Sequence, residues 1–142
     1  MKKTWTEKLA DPRPHVVKPA PISIAGMKAG QIMLVPTAKL VDRFIRAIPR
    51  GHCIDMRALR VAMARAHDAE VTCPITMGFH IRTVAEAAWE AVAGGTPVSK
   101  VTPVWRVLDA ASPTLAKLSF DVAFIRDQRA REGLDRVASS PP

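Results

Sequence analysis

The sequence predicts a mainly α domain of the winged helix-turn-helix class, with a small β-wing and a Pro-rich N-terminal arm. Three observations predict it. Apolar residues recur at helical spacing in three successive segments between residues 37 and 93. Residues 101–120 then hold two short apolar runs separated by Ala111-Ser112-Pro113-Thr114, a strand–turn–strand pattern. The cations gather in the first half of the chain: residues 1–36 sum to +4 and 37–67 to +5, whereas 68–100 sum to −2 and the remainder to +1. Such a bias suits a phosphate-facing surface, or else a charge that serves solubility.

In chain order, Thr4 to Ala10 reads as a short helix. Pro12, Pro14, Pro19 and Pro21 exclude regular helix from the next ten positions. Ile22 to Val35 is apolar, broken at Gly26 and Gly30, and reads as an arm lying across a core or a partner. Thr37 is the N-cap of a helix whose apolar side is Leu40, Val41, Phe44, Ile45 and Ile48. Pro49 and Gly51 end that helix. Asp55 caps the next, with Leu59, Ala62, Met63 and Ala66 as its stripe. The third, Met77 to Ala93, buries Ile81, Val84, Ala85, Ala88 and Val92 and stops at Gly94-Gly95. The wing follows, and Asp121 caps a last helix that closes near Gly133. The domains are therefore an arm over 1–36, the winged-helix unit over 37–135, and a disordered tail over 136–142.

The chain has 142 residues, the size of one domain, and 48% of them are hydrophobic, enough for a packed core. No apolar stretch approaches the roughly 20 residues of a membrane span. A charged segment replaces the apolar run of a signal peptide, so a cytoplasmic protein is expected, nucleoid-associated if it binds DNA. Cys53 and Cys73 are too few for a disulfide scaffold, and with the four histidines they give no zinc spacing; no metal and no cofactor is expected.

The order of elements, together with four short motifs, resembles the DNA-binding domain of the alkylguanine-DNA alkyltransferases. These are Ile48-Pro49-Arg50-Gly51, Arg82-Thr83-Val84-Ala85, Pro103-Val104-Trp105-Arg106-Val107 and Glu132-Gly133, spanning about Leu40 to Leu134. The family's reactive motif is Pro-Cys-His-Arg-Val. Here Val104 stands at the acceptor cysteine and Trp105 at the histidine, and of the catalytic set only the glutamate position, Glu132, is kept. Alkyl transfer needs an activated thiolate, so the resemblance implies a protein that is not an enzyme. It is closest in kind to the alkyltransferase-like proteins, which lack the acceptor cysteine and recognise DNA lesions for repair. Met56 stands where the family has the tyrosine that assists base flipping, and Thr72-Cys73-Pro74-Ile75-Thr76 is inserted relative to it.

The expected function is non-enzymatic binding of double-stranded DNA. Arg82, His80 and Thr83 would face the groove, Arg82 in the place of the family's base-stack arginine. Arg57, Arg60 and Arg65 would contact phosphates, and Val104, Trp105, Arg106, Met56 and Glu132 would form a pocket. Glu86 and Glu90 continue the outer side of the third helix and oppose that use. The alternative is an interaction or dimerisation module on a degenerate winged-helix fold, forming a homodimer through the arm and its run Ile32-Met33-Leu34-Val35. A thiol enzyme using Cys73 is a third reading.

Overall fold

In the computed structural model, which describes residues 2–135, the chain is a small α/β protein of five α-helices and one three-stranded sheet. Two of the three strands lie where the arm was expected, and the third is at residues 71–72. After α1 (Trp5–Leu9), β1 (Val16–Pro19) pairs antiparallel with β2 (Ile32–Val35), with Val17 opposite Leu34. β2 in turn pairs parallel with β3 (Val71–Thr72), Met33 lying opposite Val71. The run Ile32–Val35 is thus the middle strand, and Met33 and Leu34 are buried. That surface is occupied within the chain itself, contrary to its expected use in a homodimer.

The three helices between residues 38 and 93 are where capping and periodicity put them. α2 (Ala38–Arg46) starts at Thr37, whose hydroxyl accepts the Leu40 amide at 3.1 Å. α3 (Met56–Ala66) starts at Asp55, which accepts the Ala58 amide at 2.7 Å. α4 (Pro74–Ala93) begins three residues earlier than periodicity suggested, because Pro74 is tolerated at a helix start, where no intrahelical N–H bond is lost. α5 (Ala123–Glu132) is closed by Gly133 in the left-handed region, φ 70°. One core joins them, with Leu34, Ile45, Leu59, Met63, Met77, Ile81, Leu108 and Ile125 fully buried. A smaller cluster of Ala20, Met27, Met33 and Cys73 lies under the sheet. In α3 the stripe is narrower than expected: Leu59, Met63 and Ala64 are buried, while Ala62 and Ala66 are exposed.

The β-wing is absent among the described residues. Residues 98–117 instead carry three 3₁₀ turns, Val98–Lys100, Val104–Arg106 and Pro113–Lys117. The physical reason lies in how the run from Val101 is buried. Val101 to Trp105, Val107 and Leu108 are all buried, so no alternating solvent face exists. Pro103 and Pro113 each lack the amide a strand ladder needs. The carbonyls of Trp105 and Leu108 are satisfied instead by the buried guanidinium of Arg129, at 2.6 and 3.3 Å. The tail expected to be disordered, 136–142, lies outside the described residues.

Candidate nucleic-acid interface

The outward side of α4 is divided into two halves. Towards its C-terminal end, α1 lies against it. Glu90 accepts the amides of Trp5 and Thr6, the first residues of α1, at 3.2 and 3.0 Å, and the Thr6 hydroxyl at 2.6 Å. These bonds, the Thr6 hydroxyl first, lower the Glu90 pKa. Glu86 is buried and accepts the Ser119 amide and hydroxyl at 2.8 and 2.5 Å. Both carboxylates that seemed to oppose an anionic partner are therefore engaged within the fold.

Arg82, near the middle of α4, sits at the edge of the covered half with its side chain 39% exposed. Its guanidinium is 5.3 Å from the centre of the Trp5 ring, and its Nε is 3.9 Å from Glu86 and buried. Insertion of this side chain into a base stack would first break those contacts. His80 and Thr83 lie beside it but differ in character. His80 is half-buried, and desolvation lowers its pKa below the usual imidazole value, so at neutral pH it is an uncharged group. The Thr83 hydroxyl donates back to the Phe79 carbonyl at 3.1 Å.

Towards its N-terminal end, α4 is exposed at Ile75, Gly78 and Phe79, and it contributes to two clefts. A cleft of 430 Å³ is lined by Arg57 and Arg60 from α3, Glu70 and Thr72 around β3, and Pro74. A cleft of 530 Å³ brings Thr76, Phe79, His80 and Thr83 together with Lys3, Lys8 and Arg13. Arg57 and Arg60 have no ion pair among the described residues. Arg13 is paired with Asp11 at 2.7 Å, an interaction that holds the Asp11 carboxyl at about 2, and Lys8 sits 4.0 Å above the Trp5 ring. The sequence-predicted phosphate contacts Arg57 and Arg60 thus share a cleft, whereas Arg65 is exposed in the last turn of α3 and lines neither cleft. Lys3, Lys8, Arg13 and Phe79 were not singled out from the sequence. The charge of the N-terminal segment was the signal for the cations.

The expected pocket residues divide as well. Trp105, Arg106 and Glu132 come together around a separate cleft of 490 Å³, to which Arg46, Arg50 and Arg131 also contribute. Glu132 is the centre of that group. It accepts from Trp105 Nε1 at 2.6 Å, from Arg106 Nε at 2.9 Å, and from the Gly51 amide at 2.9 Å. Arg106 Nη1 also donates to the Ile48 carbonyl at 2.6 Å. Burial raises the Glu132 pKa, but the bonds from Arg106, Gly51 and Trp105 outweigh it and hold the carboxyl at about 2. The Ile48–Gly51 turn, the Val104–Arg106 turn and the end of α5 are tied together by this one carboxylate. Val104 does not join them: its side chain is fully buried in the core, and Met56 is half-buried against the same core. Arg46 is ion-paired with Asp42, which also accepts a hydrogen bond from the Thr102 hydroxyl.

No protein-family model, curated protein or solved structure matches the chain. No cluster of three or more metal-binding side chains exists among the described residues, nor does any described helix have the length and apolarity to cross a membrane. Cys53 is exposed, and Cys73 is buried with Ala20, Met27 and Met33.

Proposed function

We propose that this chain binds double-stranded DNA and does no alkyl-transfer chemistry, as the alkyltransferase-like proteins do. The observation that carries the reading is a pair of clefts rich in cations that α4 helps to line. Arg57 and Arg60 share one with Pro74, and Lys3, Lys8 and Arg13 share the other with Thr76, Phe79, His80 and Thr83. Cations gathered beside an exposed helix supply the phosphate contacts that position a protein on a duplex. Glu86 is buried on Ser119 and Glu90 is turned to the start of α1, so neither carboxylate lines the two clefts.

The site around Glu132 supports the second half of the proposal. Trp105 and Glu132 are hydrogen-bonded, as the resemblance expects of a histidine and glutamate at these positions, but an indole has no basic nitrogen to activate a nucleophile. Val104, at the acceptor position, has neither a reactive atom nor an exposed one. Lesion recognition and a role in repair belong to the proposal through the resemblance.

A salt titration of binding to a short duplex tests it. Neutralising up to five phosphates gives a log–log slope of at most about −4.5, and partial use of paired Arg13 and Lys8 brings the expected value to about −2 to −4. Absence of binding at low salt, or binding indifferent to salt, would overturn the reading. The interaction-module reading retains one specific support, the outer edge of β1, where Val16 and Val17 are 46% and 42% exposed. Concentration-dependent mass in solution, lost on Val17→Lys, would favour it.

A further inference from the structure

We infer that Phe79 is the side chain that wedges between base pairs when this protein meets a duplex. The inference rests on the DNA-binding reading above and assigns to Phe79 the role the sequence suggested for Arg82. Phe79 is 68% exposed, the most exposed large hydrophobic side chain among the described residues, and it sits at the middle of the open half of α4. Ile75, one turn earlier, is 46% exposed, and Gly78 between them carries no side chain, so the two apolar groups form a short ridge with nothing beside it to shield them. An exposed aromatic in water gains from burial against a partner surface.

The surroundings of the ridge identify that partner. The apolar strip is only about one turn long, and Phe79 itself lines the cleft that holds Lys3, Lys8 and Arg13, while Pro74 at the start of α4 lines the cleft that holds Arg57 and Arg60. Each cleft also holds one carboxylate, Glu70, which accepts the Ile32 amide, and Asp11, which is paired with Arg13, so cations outnumber anions in both. A partner complementary to an exposed aromatic beside a cluster of cations has stacked π-surfaces beside anions. Duplex DNA has that chemistry, and apolar side chains inserted at a base step are a known means of bending it. The ridge ends where α1 begins. Trp5 lies over Arg82, and Glu90 holds the amides of Trp5 and Thr6, so Phe79 is the aromatic side chain that α4 presents at its open end. The bond from Thr83 to the Phe79 carbonyl fixes the backbone beneath it.

The test uses the full chain and a short duplex carrying 2-aminopurine, an adenine analogue whose fluorescence rises on unstacking. The parent protein at low salt should bind and raise the fluorescence. Phe79→Ala, a surface change expected to leave the thermal midpoint unaltered, should bind about 5- to 100-fold more weakly, the value of one lost aromatic–base stack. It should lose the fluorescence rise and keep the parent's salt slope, since no phosphate contact is removed. Phe79→Leu should restore part of the rise. A Phe79→Ala variant with the parent's affinity and fluorescence change would overturn the wedge and leave the DNA-binding reading intact. A parent that fails to bind at low salt would overturn both.

Discussion

The indole N–H of Trp105 donates to Glu132 across 2.6 Å, and this bond joins the Val104–Arg106 turn to the end of α5. The indole also packs edge-on against Phe124, with ring centres 5.8 Å apart. Trp105→Phe keeps most of the ring area and removes the donor. Glu132 Oε2 would still accept from Arg106 Nη2 at 3.0 Å, so the carboxylate is not stranded. The expected loss is about 1–3 kcal/mol, the range for a hydrogen bond to a charged group. Trp105→Ala adds a cavity and should cost about 3–5 kcal/mol. Urea unfolding of the two variants measures both, and a Trp105→Phe protein as stable as the parent would show that the bond contributes nothing.

Glu132 also sets an acid limit. Its carboxyl is held at about 2 in the folded protein against an ordinary 4.5, because the bonds from Arg106, Gly51 and Trp105 overcome the opposing effect of burial. A depressed folded value means that the unfolded chain binds the proton more readily. The contribution is therefore complete above about pH 5 and disappears as pH falls towards 2. Its size is on the order of 3 kcal/mol. Glu132→Gln should lower stability at pH 7 and flatten the dependence of stability on pH between 5 and 2. Unfolding free energies measured over that range check the sign: a variant that keeps the parent's slope would place the acid sensitivity elsewhere.

The helices were legible because their signals are local. Thr37 and Asp55 stand beside the amides they cap, and the apolar positions of α2 and α4 recur within one turn of each other. The sheet was not, because its pairings are distant and short: β3 has two residues, and Met33 finds Val71 across 38 positions. Nothing in Val71-Thr72 alone marks a strand. The wing was misread because a continuously buried run such as 101–108 has no period, so strand propensity was the only guide to it. The Trp105–Arg106–Glu132 group was legible through the resemblance, whereas Arg129 beneath it reads as an ordinary helix cation. The contacts of Arg82 were hidden for the reason that hid the sheet, Trp5 being 77 positions away in a segment that reads as an arm.

That long-range contact makes Arg82 a residue that positions α1. Arg82→Ala removes the guanidinium beneath the Trp5 ring and the partner of Glu86, leaving the bonds of Glu90 and the packing of Leu9 to hold α1. A cation–π contact at a partly exposed site is worth about 0.5–1 kcal/mol. Amide hydrogen exchange in residues 5–9 should therefore quicken by about 2- to 5-fold. Duplex affinity should change by less than about 3-fold, in contrast to Phe79→Ala. A loss of affinity tenfold or greater with unchanged exchange in α1 would return the DNA contact to Arg82.

The burial of Val104 gives a final test, which concerns the position that the proposed reading equates with an acceptor cysteine. Val104→Cys with Trp105→His rebuilds the residue pattern Pro-Cys-His-Arg-Val, but it does so in a turn whose position 104 has no exposed surface. A thiol there would be protonated by desolvation and shielded from reagents. Histidine at 105 would be within the same short turn as Arg106, which already occupies Glu132 through Nε and Nη2. The exposed Cys53 is an internal standard and the buried Cys73 a second reference. Site-resolved mass spectrometry after brief alkylation should find Cys53 modified first, and both Cys73 and the new thiol modified on the order of 100-fold more slowly, at the rate of local opening. If the thiol introduced at 104 reacts as fast as Cys53, the site opens readily. The proposed absence of alkyl transfer would then rest only on the identity of two side chains, and not on the closure of the turn around them.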